Sequence, residues 1–383
     1  MATELKPSPS LSVATHASAY SRSVLIVRIG AMGDVLHAMP AVAALRQQHP
    51  EWVIGWAIEP AWSGLLQSSI DFNRIPQKAG RSDRKPLVDR WHSVPTRAWS
   101  KDPFALSTLA EIKMTRRELR MARYDLCVDM QGSIKSAFVG RMAAAPVFAG
   151  PENPRETPAR WLYTQRIPTT ATHVVEQGCE LLSAAVGETL RPAAVTLPVD
   201  PKAELWCNRL LAQISLTGER FAFLAPTAGW GAKQWPPERY GAVAAALGHA
   251  GYHSLVNEAP GHRFADAVVN ASEGFATAVP CSIEQMIALQ RRAGVVIAGD
   301  TGPLHLAATL ERPVVGLYGP TDPFRNGPYM PDSSKVRVLR HESSRTDHSR
   351  HRETETGLMQ ISTEEVVEAA LELLRDGQDK VRL

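Results

Sequence analysis

The chain predicts an α/β protein of two doubly wound parallel sheets. Three observations carry that prediction. Short β-branched apolar runs alternate with helical patterns, the mark of parallel strands joined by helices. The alternation stops in a proline-rich stretch near the middle and then starts afresh. A length of 383 residues exceeds what one ordinary core holds.

The elements are taken from the N-terminus onward. Residues 1–22 are rich in Ser, Ala and Thr and lack the apolar core of a signal peptide, so a disordered leader is expected. Residues 24–27 read as a buried strand. Gly30-Ala31-Met32-Gly33-Asp34 comes next, and then a helix over 35–48 with Leu36, Met39, Val42 and Leu45 on one face. A second strand is expected over 52–58, and a helix over 106–123 with Leu109, Ile112, Leu119 and Ala122 inward and the arginines outward. Residues 126–130 predict a strand and 133–143 a helix. Three prolines without a period make 188–203 the linker between a domain over 23–187 and one over 204–355. In the second unit, strands are expected over 221–225, 253–257, 295–298 and 313–318. Its helices are expected over 238–249 and 283–292, the latter opened by a capping box of Ser282 and Gln285. A final helix over 363–375 has its own capping box, Ser362 and Glu365.

Composition narrows the function classes. No apolar run approaches the roughly 20 residues that span a bilayer. Cys127, Cys179, Cys207 and Cys281 are scattered without a CxxC pair, which argues against a zinc site or a disulfide framework and suits a reducing cytoplasm. Net charge is only +3, yet Arg81 to Arg123 holds eleven Lys or Arg against five Asp or Glu, and a second basic stretch runs from Lys335 to Arg352. Such concentration suits an anionic partner as well as a solvated face. Nucleic acid is not expected, because no aromatic platforms interleave with the cations. His341, His348 and His351 lack carboxylate or thiolate partners at ligand spacing, and no Asp-x-Asp occurs, so no metal is expected.

Three segments can carry chemistry. Residues 30–34 fall short of a dinucleotide fingerprint, since position 35 is Val where a third Gly would stand. Asp34 is either a helix-start acid favoured by the dipole or a general base on the floor of a cleft. In 226–236 a strand end leads through Gly229 and Gly231 to Lys233 and the rigid Trp235-Pro236, which sets a cation over a phosphate. In Gly299-Asp300-Thr301-Gly302-Pro303-Leu304-His305 a strand stops at small residues and turns into a helix, whose unpaired N–H groups suit an anion. Asp300 and His305 are either a helix cap and a core histidine or groups beside that anion.

These segments, in this order, resemble glycosyltransferase family 9, the heptosyltransferases of lipopolysaccharide core assembly. The likeness spans about residues 23 to 375. It rests on residues 24–41, on 124–137 with Tyr124-Asp125-Leu126-Cys127-Val128-Asp129-Met130-Gln131-Gly132 at their head, on 233–236, and on 300–323. His37 after Gly-Asp-Val-Leu favours the type I branch. The resemblance implies GT-B architecture: two Rossmann-like domains facing across a cleft, the acceptor on the first and the donor on the second. It also implies that the terminal segment, 356–383, packs back on the N-terminal domain. The reaction implied is inverting, metal-independent and free of any cofactor. It transfers L-glycero-D-manno-heptose from ADP-heptose to Kdo on lipid A.

Carried over by position, Asp34 is the implied general base and Lys233 the catalytic and donor-binding lysine. Gly229, Glu258, Asp300, Thr301, Gly302 and His305 are implied on the donor side. Gly33, His37, Gln131, Lys135, Arg116, Arg117, Arg120 and Arg155 are implied on the acceptor side. One departure concerns the donor: the family's acid beyond the lysine falls on Arg263, with Glu258 nearby. The partners implied are a nucleotide sugar and an anionic lipid acceptor. A monomer is expected, in the cytoplasm and peripheral on the inner face of the inner membrane. Two alternatives stay open: a relative using another nucleotide sugar or acceptor, including a sugar-nucleotide epimerase, and a binding protein without catalysis.

Overall fold

The computed structural model describes residues 21–68, 81–258, 263–347 and 352–379. All but the last two residues of the expected leader lie outside them, as do His348 and His351.

The first domain runs β1 (Ser23–Val27), α1 (Met32–Gln48), β2 (Val53–Ile58), β3 (Arg90–Ser93), α2 (Thr96–Lys101), α3 (Leu106–Met121), β4 (Leu126–Asp129), α4 (Ile134–Ala143), β5 (Val147–Pro151), β6 (Gln165–Ile167) and α5 (Val174–Val186). The second runs α6 (Pro201–Gln213), β7 (Ala222–Ala225), α7 (Pro237–His249), β8 (Ser254–Val256), α8 (Phe264–Asn270), β9 (Ala276–Ala278), α9 (Ile283–Gln290), β10 (Val295–Gly299), α10 (Gly302–Thr309), β11 (Val314–Tyr318), α11 (Pro323–Asn326), β12 (Val336–Arg340), α12 (Thr356–Gln360) and α13 (Thr363–Asp379). Both six-stranded sheets are wholly parallel, in the orders β3-β2-β1-β4-β5-β6 and β12-β11-β10-β7-β8-β9. Counted from each domain's first strand, the first sheet reads 3-2-1-4-5-6 and the second 6-5-4-1-2-3, the same order from the opposite edge. That order puts a switch point between β1 and β4 in one sheet and between β7 and β10 in the other, where such folds bind ligands at the carboxyl ends of the strands.

One apolar core joins the domains. Val24 and Ile26 of β1, Leu36 and Met39 of α1, Leu182 of α5, Leu304 and Leu306 of α10, and Ile287 of α9 belong to a single buried cluster. It forms because α1 packs on α5 at one side and on α10 of the other domain at another. The single apolar face expected of α1 is therefore too narrow: Met32, Val35, Ala38, Ala41 and Ala44 are buried as well.

Two expectations are corrected. On α3 the buried residues are Thr108, Thr115 and Leu119, while Leu109 is 49% exposed. Leu119, Ile112 and Ala122 face the core as expected, and small threonines at 108 and 115 complete that face in place of Leu109. The terminal helix α13 packs on α7 and on β10, β11 and β12 of the second domain, not back on the first. Val366, Ala370, Leu373 and Leu374 complete the core on that sheet face, and Arg337 pairs with Glu372 at 2.7 Å.

Candidate active site

The first half of the site grows from the ends of β1 and β4. The carboxylate of Asp34, in the first turn of α1, accepts from Ala31 N–H at 3.1 Å and pairs with Arg28 at 2.9 Å. Arg28 also donates from Nε to the Asp34 carbonyl at 3.0 Å and from Nη1 to the Met130 carbonyl, which ties the Asp34 turn to the end of β4. Gln131 braces the same turn: its Oε1 accepts from Ile29 N–H at 2.8 Å. Gln131 is itself fixed by Asp129, whose Oδ1 accepts from the N–H groups of Gln131 (2.9 Å) and Gly132 (3.1 Å). Asp129 Oδ2 accepts from Ser136 and Tyr163. Burial pushes the Asp129 carboxyl up, and these four donors oppose the shift.

The second half grows from the ends of β7 and β10. Lys233 Nζ lies 2.6 Å from Asp300 Oδ2, 3.3 Å from the Asp300 carbonyl and 5.3 Å from the centre of the Trp230 ring. The first two contacts use two of its three N–H donors and leave one for a ligand. Gly231 is required for this loop, since a Cβ there would stand 1.7 Å from the Arg352 carbonyl oxygen. Thr301 does not cap α10 with its side chain; its hydroxyl donates to the Gly299 carbonyl at 3.2 Å. The start of α10 thus keeps capacity for an anion.

The halves meet at a pair of histidines. His305 Nε2 lies 2.9 Å from Asp300 Oδ1, and His305 Nδ1 lies 3.1 Å from His37 Nε2. Burial alone would raise the Asp300 carboxyl, but the His305 hydrogen bond and the Lys233 charge outweigh it and hold the group well below the usual carboxylate range. An ionised Asp300 only accepts, so His305 Nε2 carries a proton. With a neutral imidazole at 305, Nδ1 is then an acceptor and the shared proton sits on His37 Nε2. Burial, and next the proximity of His305, push His37 well below the ordinary histidine value. Gly33 permits this approach, because a Cβ there would stand 2.8 Å from the His305 ring.

Around these groups lies a cleft of about 1000 Å³ lined from both domains. Gly33, Asp34 and His37 line it from the first domain; Gly229, Lys233, Glu258, Asp300, Thr301, Gly302 and His305 line it from the second. Its volume is at the upper end of the usual range for small-molecule sites. Glu258 is partly committed, its Oε1 accepting from Phe264 and Ala265 N–H at the start of α8. Arg263 is exposed just before α8 and does not line the cleft.

Several expected acceptor contacts stand elsewhere. Arg116, Arg117 and Arg120 are exposed on α3, Lys135 is exposed on α4, and Arg155 is exposed beyond β5; none lines the cleft. Gln131 braces the loop from behind, and the Nε2 of His37 is engaged by His305. The first-domain cation in the cleft wall is Arg97, stacked 5.4 Å over Trp62. Among the described residues the buried indole N–H of Trp62 has no acceptor. Arg28, Arg97 and Trp62 were not singled out by sequence. Only Arg28 carried a signal, its place at the end of the strand before Asp34. No group of three metal-ligating side chains occurs among the described residues, and His341 bonds Ser343 at 2.8 Å.

The chain is similar to known proteins. The family model of Glycosyltransferase family 9 (heptosyltransferase) matches residues 112–356. Lipopolysaccharide heptosyltransferase 1 of Escherichia coli K12 is 30% identical over 318 residues, 80% of this chain and 90% of that one. The enzyme of the same name from Salmonella typhimurium is 29% identical over 312 residues, 80% of this chain and 91% of its own. Among solved structures, E. coli heptosyltransferase WaaC with ADP superposes at a TM-score of 0.72 with 25% identity, covering 92% of this chain and 99% of that one. E. coli ADP-heptose lps heptosyltransferase II superposes at 0.71 with 21% identity, covering 93% and 99%, and bears on the fold alone. Both sheets, their facing cleft and these likenesses make the architecture GT-B, and the chain belongs to glycosyltransferase family 9, the heptosyltransferase family.

Proposed function

We propose that the protein transfers L-glycero-D-manno-heptose from ADP-heptose to Kdo of the lipid A inner core, with inversion and without a metal. The observation that carries this reading is the meeting in one cleft of Asp34 from the first domain with Lys233, Asp300 and the start of α10 from the second. In the step proposed, Asp34 takes the proton of the acceptor hydroxyl as that oxygen bonds to the anomeric carbon of the donor. The bond from that carbon to the β-phosphate oxygen breaks on the opposite face, and ADP leaves with the electron pair. The free N–H of Lys233 and the backbone N–H groups at the start of α10 meet the growing charge on the diphosphate. Arg28 and the Ala31 N–H aim the Asp34 carboxylate. Two solved structures of one relative support an ADP-linked donor: WaaC with ADP, and WaaC with ADP-2-deoxy-2-fluoro heptose, the latter at a TM-score of 0.68 and 25% identity.

The test supplies ADP-heptose and Kdo-lipid A in the presence of a chelator and follows ADP release. Turnover is expected, with the new linkage inverted at the anomeric carbon by NMR. No ADP release with this pair, but turnover with a UDP- or GDP-linked sugar, would assign the site to a different donor.

A further inference from the structure

Helices α3 and α4 and the turn over 157–162 pack side by side on one face of the first domain. Their outward side chains form a surface that the cleft does not use. Along α3, Leu106, Leu109, Lys113, Arg116, Arg117 and Arg120 share one exposed stripe, because steps of three, four and seven residues return to the same side of a helix. The stripe is apolar in its first turn and cationic beyond it. It holds no carboxylate. Glu111 and Glu118 sit on the flank and turn to the domain itself, Glu111 accepting from Trp99 Nε1 at 3.1 Å and Glu118 lying 2.5 Å from His92 Nδ1. On α4, Ile134, Phe138 and Arg141 repeat the pattern, and Trp161 in the adjoining turn is 71% exposed. Large apolar side chains that gather on a monomer surface mark a contact site, and their mixture with cations narrows the partner.

We propose that this face seats the protein on an anionic lipid bilayer. Phe138, Trp161, Leu106 and Leu109 enter the headgroup boundary, and Arg116, Arg117, Arg120, Lys113 and Arg141 meet lipid phosphates. Charge decides against a second copy of the chain, since a symmetric contact through this face sets the same cations against one another. The N-terminal end of α4 is the part of this face nearest the cleft: Gln131, just before it, braces the turn that carries Asp34. The seat holds the first domain, which carries Asp34, at the bilayer. That purpose rests on the lipid acceptor proposed above, whereas the surface and its charge do not. The arginines expected to grip the acceptor are, on this view, grips on the membrane around it.

Sedimentation of the full chain with vesicles tests the proposal. Phosphatidylcholine vesicles containing phosphatidylglycerol are expected to carry the protein down, pure phosphatidylcholine far less, and added salt to release it. Each lost cation weakens binding about five-fold, so Arg116→Glu/Arg117→Glu/Arg120→Glu is expected to weaken it more than about 100-fold. Phe138→Ser/Trp161→Ser, at exposed positions, is expected to weaken vesicle binding while leaving ADP affinity and turnover on a deacylated, water-soluble acceptor unchanged. No binding to the mixed vesicles, wild-type binding by the arginine variant, or a dimer by light scattering that Phe138→Ser/Trp161→Ser dissolves would overturn the seat. Vesicle binding with no turnover on the soluble acceptor would leave the seat standing and count against the proposed reaction.

Discussion

His37 donates the hydrogen bond that joins the domains at the site, and its surroundings keep it neutral. Burial and the neighbouring His305, His173 and Arg28 disfavour its charge, and only Asp300 favours it. Burial likewise lowers His173, in contact with the carbonyl of Gly327. Unfolded, both rings titrate near about 6.5. Below that value the unfolded chain takes up protons that the folded chain refuses, so stability falls as pH drops through it and is constant above it. A melting temperature that is flat above about pH 7 and declines toward about pH 5 is therefore expected, with a shallower decline in His37→Gln. Equal slopes in the two proteins would show that His37 does not set the pH dependence. Asp34, Lys233 and Asp300 were legible in the sequence because each comes after a strand that ends in small residues. The His37–His305 pair was not, since its members are 268 residues apart and only the packing of α1 on α10 brings them together.

Elements were legible where their own chemistry sets them. The capping boxes at α9 and α13 close as expected, Gln285 N–H to Ser282 Oγ at 3.3 Å and Glu365 N–H to Ser362 Oγ at 3.2 Å. Which surface an element meets was less legible. The leucine spacing of α3 pointed Leu109 inward, while Thr108 and Thr115, neutral in any hydrophobic pattern, are what the domain buries. The family resemblance pointed α13 back at the first domain, whereas it covers the sheet of the second. The loop that carries Lys233 is held by a contact of the same hidden kind, Gly231 against Arg352. Gly231→Ala forces that backbone apart, a cost of about 1–3 kcal/mol if it behaves as ordinary overpacking. The expected outcome is a lower melting temperature together with weaker ADP binding by calorimetry. Unchanged ADP affinity would show that Lys233 is positioned without this contact.

At the scale of the molecule, two sheets of one strand order present their switch points to each other, and the residues at those points complete a single cleft. The repeat of β/α units made the two domains legible, and the linker marked where one sheet gives way to the next. The shared core through α1 and α10 was not, because sequence periodicity says that a face is apolar without saying that the other domain covers it. In the reaction proposed above the arrangement divides the labour: the second domain would supply charge for a departing diphosphate, and the first the carboxylate that takes a proton. Single-turnover kinetics of Asp34→Asn with ADP-heptose, beside ADP titration of the same variant, tests that division most directly. The rate is expected to fall about 10²–10⁴-fold with ADP affinity unchanged; a variant that transfers heptose at the wild-type rate would contradict the assignment of Asp34 as the base.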